Sequence, residues 1–286
     1  MEYTQIRYEV SEGILTITLD RPERMNACTH IMSKEIIDAL HKADDDDKVR
    51  AIIITGAGNA FCAGTELASE GDLGKANLKI PDDMEPDRDI AGMVTLTIYD
   101  LKKPVIAAYN GVAVGIGLTM TLAADVRIAS ENARFGLVFT RRAFVSEGAS
   151  NWFLPRIVGM GKAAEWLLTG RIFKVQEALD ARLITEVLPA DSLIPRAREI
   201  AQEIALNTSP VSVALCRQLL WKLVGTEHPM EAHQMESKAL FWITKTPDVV
   251  EGITSFMEKR KPNFPMKPSK NMPEFYPWWP DRPFRT

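Results

Sequence analysis

The chain has 286 residues, 46% hydrophobic and 25% charged, an ordinary globular composition with enough apolar side chains for a large core. Its 34 Lys and Arg against 38 Asp and Glu leave a formal charge of −4. With a pI near 5.7, that gives no electrostatic footprint for nucleic acid or an anionic membrane, so neither is expected as a partner. Cys28, Cys62 and Cys216 are odd in number and scattered, without a CxxC or a His/Cys cluster, which suggests neither a disulfide framework nor a metal site. The opening MEYTQIRYEV lacks the basic-then-apolar order of a secretion signal, and no apolar run reaches the roughly 18 residues of a membrane span. A soluble, cytoplasmic protein is the expectation.

In chain order, YTQIRYEVSEGILTITLDRP alternates apolar and polar residues around Glu-Gly and predicts a β-hairpin ending at Pro22. THIMSKEIIDALHKADDDDKV places Ile31, Ile36, Ile37 and Leu40 at helical spacing, with Thr29 available as N-cap. RAIIITGAG is a short apolar run stopped by glycines, as a strand buried on both faces would be. VTLTIYDLKKPVIAAYNGVAVG predicts a helix end, a Lys-Lys-Pro break and a second buried strand. GLTMTLAADVRIAS predicts helix then strand, with a third glycine turn at Phe135-Gly136. From Asn151 onward the pattern turns helical, through GKAAEWLLTG, KVQEALDARL, DSLIPRAREIAQEIA, PVSVALCRQLLWKLV and Glu231 to Met257.

The β/α first half and helical second half suggest one mixed α/β core with a helical appendage. The charged segment Glu70 to Asp89 carries Gly and Pro and reads as a lid or a plain surface insertion. The Pro-rich tail cannot be helical throughout. Its Phe275, Tyr276, Trp278, Trp279 and Phe284 are expected to pack on the body or on a neighbouring subunit.

Two turns are candidates for chemistry. AFCAGTEL follows the AIIIT strand, and NGVAVGIGLTM follows PVIAA. Glycine permits a sharp bend that leaves backbone amides exposed, and two amides aimed at one point make an oxyanion hole. Tight packing alone also explains such turns. A third candidate is Glu147 in FVSEGASNWFLPRIVG, an acid among apolar, small and hydroxyl residues. It reads as a solvated loop acid, as an acid at the start of a helix near Gly148, or as a proton carrier.

The segments LDRPERMNA, AFCAGTEL, KPVIAAYNGVAVGIGLTMTLAADVRIASENARFG, SEGASNWFLPRIVG, LLTGRIF, EALDARLITEVLP and EGITSFMEKRKPNF stand in the order found in the crotonase superfamily of enoyl-CoA hydratases and isomerases, which the chain resembles from Tyr3 to Phe264. The resemblance implies an α/β, crotonase-like ββα spiral over residues 1–200 that carries an acyl-CoA site. A helical trimerisation region would follow over 201–264 and a Pro/aromatic-rich tail over 265–286. It also implies an acyl-CoA thioester substrate, no cofactor beyond the CoA that substrate carries, and a homotrimer or dimer of trimers.

By position, the resemblance implies oxyanion-hole amides at Thr65 and Ile116. The segments Met25 to Ala27 and Ala63 to Leu67 would hold pantetheine and adenine. Glu66 stands beside the first turn, to touch substrate or to serve as polar filler. Phe256 and Lys259 match residues that reach a CoA, often a neighbour's, although Lys259 also reads as a surface lysine.

Two-carboxylate hydratases of this kind have acids where this chain has Thr119 and Phe139. Hydration needs a water activated at one carbon and a proton delivered at the next, so losing both acids argues against that arrangement. Glu147 instead aligns with the lone glutamate of the Δ3,Δ2-enoyl-CoA isomerases, to which the motifs are closest. Phe139, Phe144, Trp152 and Phe153 are expected to surround it and raise its pKa by desolvation.

Other groups are weaker candidates. Ser146 has no histidine or acid at a recognisable spacing, His30, His41, His228 and His233 read as structural or solvated, and Asp44 to Asp47 read as a solvated charge run. The sequence thus predicts an isomerase that uses Glu147 alone. The alternatives are a hydratase with one glutamate, and a non-catalytic relative that binds RNA or CoA.

Overall fold

The computed structural model describes residues 2–66, 88–280 and 282–284. Alternating residues build the opening hairpin, β1 (Ile6–Ser11) antiparallel to β2 (Ile14–Leu19), and it turns through Glu12 and Gly13, both at positive φ. Helix α1 (His30–Asp45) begins where expected, with the Thr29 hydroxyl accepting from the Met32 N–H at 3.1 Å.

Three strand pairs follow, each with a helix after it. They are β3 (Ala51–Gly56) and β4 (Ala60–Cys62) before α2 (Ile90–Asp100), β5 (Val105–Tyr109) and β6 (Val112–Val114) before α3 (Ile116–Thr119), and β7 (Val126–Ser130) and β8 (Arg134–Gly136) before α4 (Ser150–Val158). In each pair the first strand joins a six-stranded sheet and the second a four-stranded one, which is the ββα spiral.

The chain continues through α5 (Met160–Thr169), β9 (Ile172–Lys174), α6 (Val175–Asp180) and β10 (Glu186–Leu188). It ends with α7 (Leu193–Asn207), α8 (Pro210–Leu223), α9 (Pro229–Ile243) and α10 (Pro247–Glu258). The sheets have the orders β1-β2-β3-β5-β7-β10 and β4-β6-β8-β9. The expected glycine turn at Phe135-Gly136 is strand β8, and the helical second half is interrupted by β9 and β10. These three-residue strands are too short for periodicity to reveal, and they form because β8, β9 and β10 each find an open sheet edge.

Both faces of the large sheet are covered, which explains the unbroken apolar run of β3. Ile14, Ile53, Ile106 and Ile128 face Ala197, Ala201 and Ala205, an i, i+4 stripe whose small side chains let α7 lie close to the strands. The alternate residues Leu15, Ile17, Ile52 and Ile54 enter the larger core that lies between the sheets and contains Phe61, Tyr109 and Phe135.

Helix α2 is fastened at both ends. Asp89 caps its first turn by accepting from the Gly92 N–H at 2.6 Å. At the other end the buried Arg217 and Gln218 of α8 donate to the carbonyls of Ile98, Tyr99, Asp100 and Leu101. The Asp44–Asp47 run is not merely solvated. Asp44 pairs with Lys102 at 2.9 Å, and Asp47 accepts from the Ser269 hydroxyl and amide, tying the tail to the end of α1.

The tail packs on the body, as expected. Met266, Met272, Tyr276 and Trp278 join Val211 and Leu215 in a small core beside Trp242, and Arg88 lies over the Phe284 ring. By contrast, Leu220, Leu240, Phe241, Val250, Ile253 and Phe256 on α8, α9 and α10 are exposed. No helix is long and apolar enough to cross a membrane among the described residues.

Candidate active site

Strands β4 and β6 run parallel and adjacent, with Cys62 opposite Ala113, and each enters a glycine turn at its carboxyl end. Gly64 has φ +110° and Gly115 φ +56°, conformations that L side chains rarely adopt. The turns press together. A Cβ on Gly64 would lie 3.2 Å from the Val114 carbonyl oxygen, and one on Gly117 only 2.2 Å from that of Cys62.

Cys28 fixes the orientation of the first turn. Its N–H donates to the Gly64 carbonyl at 2.8 Å, and its own carbonyl accepts from the Glu66 N–H at 2.9 Å. In a parallel bridge of this kind the intervening residue faces the other way. The Thr65 N–H therefore points away from Cys28. Ile116 opens α3, so its N–H has no preceding turn of helix to bond. Among the described residues neither amide donates a hydrogen bond, although the Ile116 side chain is buried.

Glu147 meets Thr119, which lies one turn of α3 on from Ile116. The Thr119 hydroxyl, near the end of α3, lies 3.2 Å from the Gly115 carbonyl oxygen and 3.3 Å from Glu147 Oε1. Gly148 has φ +68°, and a Cβ there would be 2.9 Å from that of Thr119, so the chain turns tightly against α3 at this point. The Gly148 N–H donates to Asp89 Oδ1 at 2.9 Å. Glu147 is mostly buried, which pushes its pKa up to about 7, and the Asp89 charge adds to the rise while the Thr119 hydrogen bond opposes it. Burial also pushes up the nearby thiols, Cys28 to about 11 and Cys62 further.

The apolar surround expected for Glu147 is partly corrected. Phe144 is 41% exposed, while Trp152 and Phe153 pack edge-on against Tyr99. Phe139 is half-buried against the core and precedes the 3-10 turn Thr140–Arg142. The neighbour that sequence reasoning missed is Asp89, because nothing local in the chain marks an N-cap acid as the partner of a residue in a distant turn.

The two segments expected to hold CoA lie side by side. The Met25 carbonyl accepts from the Ala63 N–H at 3.0 Å. Ala27 and Glu66 share one partner, since Arg21 donates to the Ala27 carbonyl at 2.8 Å and pairs with Glu66 at 3.0 Å. Glu66 is thus an anchor between the two segments rather than polar filler. Asn26, within the expected Met25 to Ala27 segment, is fully buried at positive φ and donates to the Ala57 and Ala60 carbonyls, pinning this turn to the end of β3.

Leu67 and nearly all of the Glu70 to Asp89 segment lie outside the described residues. Phe256 and Lys259 stand exposed at the end of α10, and among the described residues their side chains make no hydrogen bond, ion pair or ring contact with the Glu147 site. No group of three or more His, Cys, Asp or Glu side chains is gathered for a metal ion among the described residues.

The sequence matches the family described as Enoyl-CoA hydratase/isomerase over residues 9–267. It is 39% identical to the enoyl-CoA hydratase ACTT3 of Alternaria alternata, over 89% of this chain and 83% of that protein. It is 30% identical to 1,2-epoxyphenylacetyl-CoA isomerase of Escherichia coli strain K12, over 89% of this chain and 96% of that one. Among solved structures, it resembles a probable enoyl-CoA hydratase/isomerase from Mycobacterium abscessus with a TM-score of 0.82 and 34% identity, over 91% of this chain and 98% of the other. The spiral, the paired glycine turns and these likenesses agree, and the chain belongs to the enoyl-CoA hydratase/isomerase family, enzymes of the crotonase superfamily.

Proposed function

We propose that this enzyme moves the double bond of a 3-enoyl-CoA to the 2-position, with Glu147 as the proton carrier. The observation that carries the reading is Glu147 itself. Its carboxyl titrates near neutrality beside the paired glycine turns, where Thr119 and Phe139 replace the two acids of the hydratases that the sequence resembles. A carboxylate with a pKa of about 7 is half ionised at pH 7, able both to take a proton and to return it.

The Glu147 carboxylate takes the C2 proton, and the electrons pass into the thioester carbonyl as a dienolate. The Thr65 and Ile116 amides donate to the oxygen where that charge develops. The protonated Glu147 then gives its proton to C4, so the proton balance closes within the site. No cofactor beyond the CoA of the substrate is required. Met25, Ala27, Ala63, Glu66 and Leu67 hold that CoA, with Phe139 beside the acyl group. Phe256 and Lys259 serve a neighbour's CoA in a trimer or dimer of trimers built on the exposed apolar residues of α8 to α10, and the enzyme works in the cytoplasm.

A hydratase is the second reading, favoured by the name of the 39% identical relative and by a second carboxylate, Asp89, whose charge reaches Glu147. Product analysis with 3-enoyl-CoA and 2-enoyl-CoA separates them. Isomerisation of the 3-enoyl substrate is expected, and hydroxyacyl-CoA formed only from the 2-enoyl substrate would overturn the first reading. Glu147→Gln is expected to lower turnover about 10²- to 10⁴-fold while acyl-CoA binding is retained. Unchanged turnover would remove Glu147 from the mechanism.

A further inference from the structure

Asp89 has no part in the reaction as written, yet it is built into the same knot of chain as Glu147. One carboxylate oxygen, Oδ1, receives two backbone N–H groups, Gly92 at 2.6 Å and Gly148 at 2.9 Å. The first belongs to α2 and the second to the residue after Glu147. Both donors are glycines, and space explains why. A Cβ on Gly92 would lie 2.7 Å from Asp89 Oδ2, and one on Gly148 would meet Thr119 at 2.9 Å and the Ala91 side chain at 3.4 Å. The carboxylate can therefore fold over the start of α2 and still reach across to Gly148. Because Arg217 and Gln218 hold the far end of α2, the anchor that Asp89 offers is itself fixed.

We propose that Asp89 is a positioning residue that holds the Glu147–Gly148 peptide against α2 and thereby sets where the Glu147 carboxylate stands relative to the Thr65 and Ile116 amides. The proposal rests on the Glu147 reading above and deepens it. The chain distance makes such a tie valuable. Glu147 lies between the 3-10 turn Thr140–Arg142 and α4, and the neighbouring Phe144 and Val145 are exposed and contribute little packing to hold it. Hydrogen bonds to a charged acceptor are about twice as strong as neutral ones, so this contact can do what packing there does not.

Asp89 also acts through its charge. Among the described residues, the titratable groups that face Glu147 are Asp89 from the start of α2, Cys28 from the segment before α1 and Cys62 from β4, with the Thr119 hydroxyl from α3. Both thiols are held neutral by burial at working pH. Asp89 is thus the group among them whose negative charge opposes ionisation of Glu147.

The test compares Asp89→Asn, Asp89→Ala and Glu147→Gln as full-length enzyme, with 3-enoyl-CoA and 2-enoyl-CoA as probes and kcat/KM followed against pH. In Asp89→Asn the amide oxygen still accepts both N–H groups while the charge is gone. Its acid limb is expected to move to lower pH, with KM and thermal stability near wild type. In Asp89→Ala the tie is lost, and kcat is expected to fall about 10- to 100-fold with KM little changed. If the alanine variant does not fold, Asp89→Ser, which can still cap α2 but is too short to reach the Gly148 N–H, tests the tie in its place. Wild-type kcat in Asp89→Ala, with Glu147→Gln inactive, overturns the positioning role of Asp89 and leaves that of Glu147 standing, and an unmoved acid limb in Asp89→Asn overturns the action of its charge. Wild-type turnover by Glu147→Gln overturns both.

Discussion

The Thr119 hydroxyl lies within 3.3 Å of Glu147 Oε1 and 3.2 Å of the Gly115 carbonyl oxygen, so one small side chain connects the site carboxylate to the second glycine turn. A hydroxyl has one proton to donate, and sharing it between two acceptors at these distances makes each bond weak. The contact favours the ionised form of Glu147 and works against burial and the Asp89 charge.

Thr119→Val keeps the shape of this side chain and removes the donor. The pKa of Glu147 then rises, and the acid limb of kcat/KM moves to higher pH, opposite to the shift expected for Asp89→Asn. Stability falls by about 1 kcal/mol, since a weak shared hydrogen bond is lost. Parallel pH–rate profiles of the wild type and this variant check the direction. A shift toward lower pH would mean that the hydroxyl does not donate to Glu147.

Glu147 also links stability to pH. An unfolded glutamate titrates near 4.5, and the folded one near 7. Below the lower value both states hold the proton and the group costs nothing. Between the two, the unfolded chain gains charge first, so stability is lost as pH rises, by roughly 2–3 kcal/mol once pH passes 7. Glu147→Gln removes that loss. Denaturant titrations should show a stability gain of the glutamine variant over wild type that is larger at pH 8 than at pH 5, and an equal gain at both would contradict a raised pKa.

Gly117 is the tightest point of the paired turns. An alanine there would place its Cβ 2.2 Å from the Cys62 carbonyl oxygen, which lies on a strand and cannot move aside cheaply. Gly117→Ala is expected to cost about 1–3 kcal/mol through overpacking and to lower turnover more than substrate affinity, because α3 carries the Ile116 amide. Thermal denaturation and steady-state kinetics on one preparation measure both. Full activity with unchanged stability would show that the turns are looser than described.

Arg217 is almost fully buried, pairs with Asp125 at 2.8 Å and donates to the terminal carbonyls of α2. Arg217→Ala takes the charged partner from Asp125, which keeps the Val105 and Trp221 N–H groups, and a donor from the Ile98 carbonyl, and should destabilise the fold by about 3–5 kcal/mol. Arg217→Met, which restores the bulk but not the hydrogen bonds, should recover only part of that loss. Denaturant midpoints for the pair give the answer, and equal stability of the methionine variant and wild type would assign the effect to packing alone.

Much of the fold was legible because it is local. The alternation around Glu12-Gly13, the Thr29 cap and the glycine stop after β3 each report on residues near in sequence, and each stands where it was expected. The short strands β4, β6, β8, β9 and β10 were not legible, since three residues carry no period and their pairing depends on edges supplied elsewhere. The same holds for Glu66, whose pairing with Arg21 spans 45 positions and turns an expected polar filler into an anchor.

By itself the sequence determined that two glycine turns follow buried strands and that Glu147 is an acid among apolar and small residues, and its resemblance to the hydratases implied that Thr119 and Phe139 stand where their acids would. Only the tertiary structure decided what surrounds that acid. Asp89 reaches Gly148 across 59 positions, and Thr119 reaches Glu147 across 28. Periodicity and capping signals come from residues within a turn or two of one another, whereas the pKa of a carboxyl depends on every charge and hydrogen bond that the fold brings to it, whatever their distance along the chain.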